Sequence, residues 1–256
     1  VLEIPLRLAV AQQDQVRHDG RLYSAADGLA RGARICVPAD RLVRSKLLRM
    51  IIVAFFVAHW MLAAFFQSSF QHRYASHRMF ALTPRGERVY HLLTYLAQGS
   101  SYLSPRAYAV LHREHHAYSD TQRDPHAPGR FANVLTMMWA TKKQYEAHFR
   151  RTSTPEARFL GNYPEWPLLE RLASTWTARL AWGTGYALVY LAFATAWWQF
   201  LLLPLHWLMG PVHGAIVNWC GHRYGYRNFK TGDASRNFLP FDFLTLGELF
   251  QNNHHR

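Results

Sequence analysis

The sequence predicts an all-α integral membrane protein with a histidine-rich cap on its cytoplasmic side, and three observations predict it. From Leu180 to Gly221 no Asp, Glu, Lys or Arg occurs, and as a helix this run would be about 60 Å long, twice the ~30 Å hydrocarbon core of a bilayer. A second block, Met50 to Phe66 (MIIVAFFVAHWMLAAFF), is uncharged apart from any charge on His59 and suits a single crossing. The histidines, 15 in 256 residues, gather beside these blocks in short groups whose spacing puts imidazoles on shared helix faces. A buried soluble helix pair is the competing reading, but uncharged blocks of this length are rare outside bilayers.

Taken in order, residues 1–46 read as an N-terminal arm, disordered or outside the working domain, because they hold no spanning block and no secretory signal pattern. The working domain is then 47–256, with spans at about 47–68, 180–199 and 201–221 and a cap at 106–179. Met50 to Phe66 leads into Gln71–His77, where His72 and His77 stand about 140° apart on an α-helix and can share a site only if the helix unwinds between them. Val89 to Pro105 is apolar at first but carries Gln98, Gly99, Ser100, Ser101 and Ser104, which suits an interfacial or dipping segment.

His112, His115 and His116 follow at i, i+3 and i+4, so one helix face offers three nitrogen ligands. After Asp124-Pro125-His126 comes a polar stretch to Arg179 that forms the cap. The apolar hairpin turns near Gln199 to Pro204 and returns Asn218 and His222, which share a face, to the side of the earlier histidines. Gln251, His254 and His255 repeat the i, i+3, i+4 spacing close to the last residue, so a C-terminal tail is expected beyond it.

The formal charge of +13 would suit nucleic acid, but no nucleic-acid motif accompanies it, and no such partner is expected. Cations beside apolar blocks fit anionic lipid better. Cys36 and Cys220 are read as free thiols. Arg41, Arg44, Lys46 and Arg49 would face away from the histidine side, against the positive-inside bias. Either a further N-terminal span is missing or the functional chain begins near Met50.

His59, His206 and His213 lie singly in apolar blocks and read as packed or hydrogen-bonded side chains. Eight grouped histidines remain: His72, His77, His112, His115, His116, His222, His254 and His255. One metal would be overserved by them. Two metals use the set economically, and nitrogen-rich coordination with room for oxygen favours iron over structural zinc.

With HRYASH, HREHH and the following DTQRDPH, NWCGHRYG and GELFQNNHH in this order around an apolar hairpin, Met50 to Arg256 resembles the membrane fatty acid desaturases with three histidine boxes, which include the stearoyl-CoA desaturases. The resemblance implies a di-iron cap that uses O2 and two donated electrons to place a cis double bond, of delta-9 type, in a saturated acyl chain. It implies iron ligation by the eight histidines above, with Asn218 holding one iron through a water. Gln251 stands where better-known members carry His, so its place in the ligand set is open. Only one convincing span represents the hairpin expected before the first box.

The partners implied are a fatty acyl substrate on CoA, carrier protein or lipid, an external electron donor of ferredoxin, rubredoxin or cytochrome b5 type, and membrane lipid. An unactivated methylene offers no acidic proton and no leaving group, so a redox cofactor must start the reaction, and the sequence has no Rossmann, haem or flavin signature. Asp120, Asp124 and Glu248 are candidates for orienting imidazoles, unless they pair with Arg78, Arg113 or Arg123. Hydroxylation of an alkyl or carotenoid chain and non-enzymatic metal binding are the alternatives.

Overall fold

The helix that opens the working domain does not end where its apolar sequence ends. The computed structural model describes residues 39–256, with side chains from Met50 onward, so the expectations for the arm and for Cys36 lie outside the described residues, apart from helical backbone from Ala39. Helix α1 (Ala39–Phe66) continues into a π-helical segment, Gln67–Ser76. Met50–Ser76 is the one continuous helix among the described residues long and apolar enough to cross a membrane. In the π segment the backbone bonds to the fifth residue back, as in His77 N–H to His72 O at 3.1 Å. Residues five apart are thereby stacked on one face, which is the local unwinding that His72 and His77 require.

Helix α2 (Pro84–Gln98) starts on a Thr83 cap with proline in its first turn, and α3 (Pro105–Tyr118) starts the same way on Ser104. Between them, Gln98, Gly99, Ser100 and Ser101 are buried rather than turned outward. Gln98 and Gln71 exchange side-chain amide bonds at 2.7 and 3.0 Å, so the polar groups expected at an interface are satisfied inside the protein. Gly99 sits at φ +52°, and a Cβ there would meet the Tyr186 hydroxyl, so only glycine fits. Helix α4 (Val134–Phe149) opens on a reciprocal Asn133–Thr136 capping box, and the short α5 (Pro167–Ser174) leads to α6 (Trp176–Phe193), capped by Thr175.

Over the stretch of the expected second and third spans the helices are interrupted. Helix α6 stops at Phe193, and the chain turns at residues 194–196, where the Gln199 side-chain oxygen accepts from the Thr195 and Ala196 amides. A 3₁₀ turn (Trp197–Leu202) and α7 (Leu203–Trp207) then break at Leu208 into α8 (Met209–Gly221), bent by 79°. Pro211 has no N–H to offer the Trp207 carbonyl, and the Ser100 hydroxyl donates to that carbonyl instead, at 3.2 Å. The Gly210 amide likewise donates to Ser101 Oγ at 3.2 Å, so the break is seated on the 3₁₀ turn that follows α2.

From Ser45 to Arg256 the chain forms one compact unit. Its last helix, α9 (Gln251–His254), is reached through a long irregular stretch after α8. Among the described residues no strand occurs, only isolated bridges of Asn237 with Tyr226 and Phe250. The all-helical expectation agrees with what is described.

Candidate metal centre

Helix α3 divides its histidines between two groups. His112 and His116, one turn apart, face His72 of the π segment, His77 at its end and His254 of α9, and the ligand atoms of all five lie within 4.8 Å of one another. The Nε2 atoms of His77 and His112 are 2.8 Å apart, those of His116 and His254 2.8 Å, and those of His72 and His254 3.0 Å. His115 points the other way and meets His222, which caps the end of α8, and His255, again within 4.8 Å. The eight histidines singled out in the sequence are therefore brought together as a group of five and a group of three.

Carboxylates fix the ring orientations. Nδ1 of His115 lies 2.9 Å from Asp124, that of His222 2.9 Å from Asp120, that of His255 2.6 Å from Asp233, and that of His72 2.5 Å from Glu248. An ionised carboxylate only accepts, so the hydrogen-bonded Nδ1 atoms of His115, His222 and His255 carry the proton and their Nε2 atoms present lone pairs. In the group of three, all three Nε2 atoms are buried without a partner. Burial, with neighbouring imidazoles adding to it, pushes the His77 pKa down to about 4 and that of His254 down to about 2. The same causes hold His112, His115 and His116 well below the ordinary imidazole range. Buried neutral nitrogens that converge with their lone pairs inward need a cation between them, and the residues fit a metal pair.

Residues 47–256 match the sequence model of the family described as fatty acid desaturase. The chain belongs to that family. Among its relatives, a Delta-9 desaturase-like 2 protein of Arabidopsis thaliana is 29% identical over 189 residues, covering 72% of this chain and 58% of the relative. The sn-1 stearoyl-lipid 9-desaturase of Anabaena variabilis is 28% identical over 188 residues, covering 72% and 63%. A hex-5-enoyl-[acyl-carrier protein] acetylenase of Moorena producens (strain JHB) is 26% identical over 223 residues, covering 79% and 65%. The chain spans less than two thirds of the length of these relatives.

Within this desaturase domain, one cavity of about 1360 Å³ has His112, Asn218 and Glu248 in its wall as well as Leu188, Leu191 and Trp207. It therefore joins His112 of the five-histidine group to the apolar helices, and it exceeds the ~300–1,000 Å³ of ordinary ligand pockets. Asn218 donates to the Gly214 carbonyl at 2.8 Å, and Gln251 donates to the Glu248 carbonyl at 2.8 Å. Each amide oxygen is thus the atom left with coordinating capacity. Gln251 is buried against Gly221, where a Cβ would come within 2.4 Å of Gln251 Cγ.

The carboxylate alternatives resolve toward the imidazoles. Arg113 donates to the carbonyls of Ala75, Ser76, Phe159 and Gly161, and Arg123 pairs with Glu156. Sequence reasoning missed Asp233, whose signal was its position as the lone acidic residue between His222 and Asp242 in a basic stretch. His126 was noted but left out of the ligand set. It is buried with both ring nitrogens unpartnered, its ring centre 4.3 Å from that of His115, and burial pushes its pKa down to about 4. His59 and His206, read as packed side chains, pair through Nδ1 atoms 2.7 Å apart beside Tyr186. His213 stands edge-on to Trp60 and lines the cavity.

Proposed function

We propose that the chain is the catalytic domain of an acyl desaturase, placing a cis double bond of delta-9 type in a saturated chain at a histidine-held di-iron centre. The balanced reaction is –CH2–CH2– + O2 + 2 H⁺ + 2 e⁻ → –CH=CH– + 2 H2O. The observation that carries this reading is the convergence of all eight grouped histidines into two nitrogen sets, with His112 of the larger set in the wall of one large, mostly apolar cavity.

One iron would be held by His72, His77, His112, His116 and His254, and the other by His115, His222 and His255, with Asn218 acting through a water. Bound iron would supply the oxygen-dependent redox chemistry that an unactivated methylene requires and no side chain offers. The chain's own share is positional. Asp120, Asp124 and Asp233 hold the Nδ1 protons of His222, His115 and His255 and so keep three Nε2 lone pairs aimed inward, while Glu248 lies 2.5 Å from His72 Nδ1. The cavity wall excludes water from the acyl chain and sets which methylenes lie beside the centre. The acyl group rides on CoA, carrier protein or membrane lipid, and relatives named as acyl-lipid desaturases favour lipid. The centre faces the cytoplasm in this reading, because Lys and Arg gather on its side while the α6–α7 turn has none.

Expression in a desaturase-deficient host, with mass spectrometric location of new double bonds, tests the proposal. The expected product is an acyl chain two hydrogens lighter with a cis bond at one position. An added oxygen atom instead would make the chain a hydroxylase.

A further inference from the structure

The cavity beside the proposed centre keeps one polar side chain that the desaturase reaction does not use. His213 is buried, and both of its ring nitrogens lack a hydrogen-bond partner. It lines the cavity and belongs to neither histidine set of the centre. Trp60 meets it edge-on at 6.2 Å but gives it no hydrogen bond, since Trp60 Nε1 donates to the Leu244 carbonyl at 3.1 Å. Other polar groups of the wall are answered within the protein: the Ser100 and Ser101 hydroxyls donate to the Trp207 and Gln98 carbonyls, and that of Ser104 donates to Glu170. Gln67 Oε1 and the His126 ring are also unpartnered in the wall. Gln67 opens the segment that carries His72, and His126 packs on His115, so both belong to the surroundings of the centre.

His213 stands apart from them. On α8 it precedes Asn218 by five residues and His222 by nine, about 8 and about 13 Å of helix axis. A Cβ built on Gly214, also in the wall, would meet nothing within 4 Å, so open space adjoins this turn of the helix. No Asp, Glu, Lys or Arg occurs from Leu180 to Gly221, whereas the cap side of the same cavity carries Lys142, Glu146 and Arg150. A charged carrier group suits the cap side and would be costly beside His213. The missing partner is therefore a neutral polar atom that arrives on the acyl chain. A neutral imidazole donates at one nitrogen and accepts at the other. A carbonyl or ether answers only the N–H, whereas a hydroxyl answers either nitrogen, whichever tautomer is present.

We propose that His213 recognises a hydroxyl group borne by the acyl chain several methylenes from the reacting bond, so that the site takes hydroxy-acyl chains in preference to plain ones. The inference rests on the desaturase reading and narrows its substrate class. A plain chain leaves the buried imidazole unpaired, so discrimination comes from that penalty as well as from the bond gained. Because His213 shares α8 with Asn218, its distance from the centre is fixed by the helix. Only hydroxyls at one spacing from the reacting bond can reach it.

Equilibrium binding of methyl hydroxystearates, a series with the hydroxyl moved along the chain, to the purified full chain tests this without turnover, with methyl stearate as the reference. One isomer, or a pair of adjacent isomers, should bind about three- to tenfold more tightly than methyl stearate. In His213→Phe and His213→Leu, which offer no nitrogen, that ratio should fall to about one. His213→Gln keeps a donor and an acceptor and should retain part of the preference. Wild-type protein that binds no isomer more tightly than methyl stearate would overturn the proposal and leave the imidazole to water. So would a preference that survives in both apolar variants. An equal weakening of every ester, methyl stearate included, in all three variants would assign His213 to the ester group or to the shape of the wall, and would likewise overturn it. In the desaturase-deficient host, the favoured hydroxy chain should gain its double bond at a fixed spacing from the hydroxyl. If no chain gains one, the desaturase reading fails, while the binding ratios still judge His213.

Discussion

His255 shows how much one side chain beyond the ligand set decides. Its Nδ1 proton is held by Asp233, whose carboxylate also accepts from the Ser235 amide. Asp233→Asn keeps the size but offers a weaker acceptor, so iron affinity should fall by about ten- to a hundredfold, read by metal analysis after dialysis against a graded chelator. His77 carries a second consequence, for pH. Its folded pKa of about 4 lies below the ordinary 6.5, so between those values the unfolded chain binds more protons. Metal-free protein should therefore be most stable above pH 6.5 and lose thermal stability progressively as pH falls to about 4. A melting temperature flat across that window would contradict the burial of these rings. At this scale the sequence was most legible, because histidine spacing reports shared faces. Asp233 was not legible, since its partner lies far along the chain and no local spacing links them.

Among the elements, the break between α7 and α8 depends on a residue that neither helix contains. Ser100→Ala would leave the part-buried Trp207 carbonyl without its donor, at a cost of about 0.5–1.5 kcal/mol. A lowered melting temperature with unchanged helix content is expected by circular dichroism. The span expected over 201–221 carried no statement of this break, although Pro211 marked it, because absence of charge says where a chain can be buried and not whether it stays straight. The π segment is the reverse case. The need for unwinding was legible in the five-residue spacing of His72 and His77, but the form it takes was not. Nothing local in QSSFQHRYAS calls for a π turn, and the buried Gln71–Gln98 pair that accompanies it is a tertiary contact.

For the whole molecule, the proposed cytoplasmic placement of the centre predicts one orientation in the bilayer. A cysteine introduced at exposed Lys143 on the cap should be labelled only from the cytoplasmic side; labelling from outside would reverse the assignment. A second consequence concerns how the centre fills. His115 and His116 are chain neighbours that serve different groups, and so are His254 and His255. Two dipeptides thus act as rulers between the sets, and ordering either set fixes the backbone on which the other depends. Occupancy should then be cooperative. Titration of the metal-free protein with ferrous iron should give a sigmoidal curve that passes from empty to doubly loaded with little singly loaded species in native mass spectra, and His115→Ala should lower the affinity of the five-histidine set that it does not join.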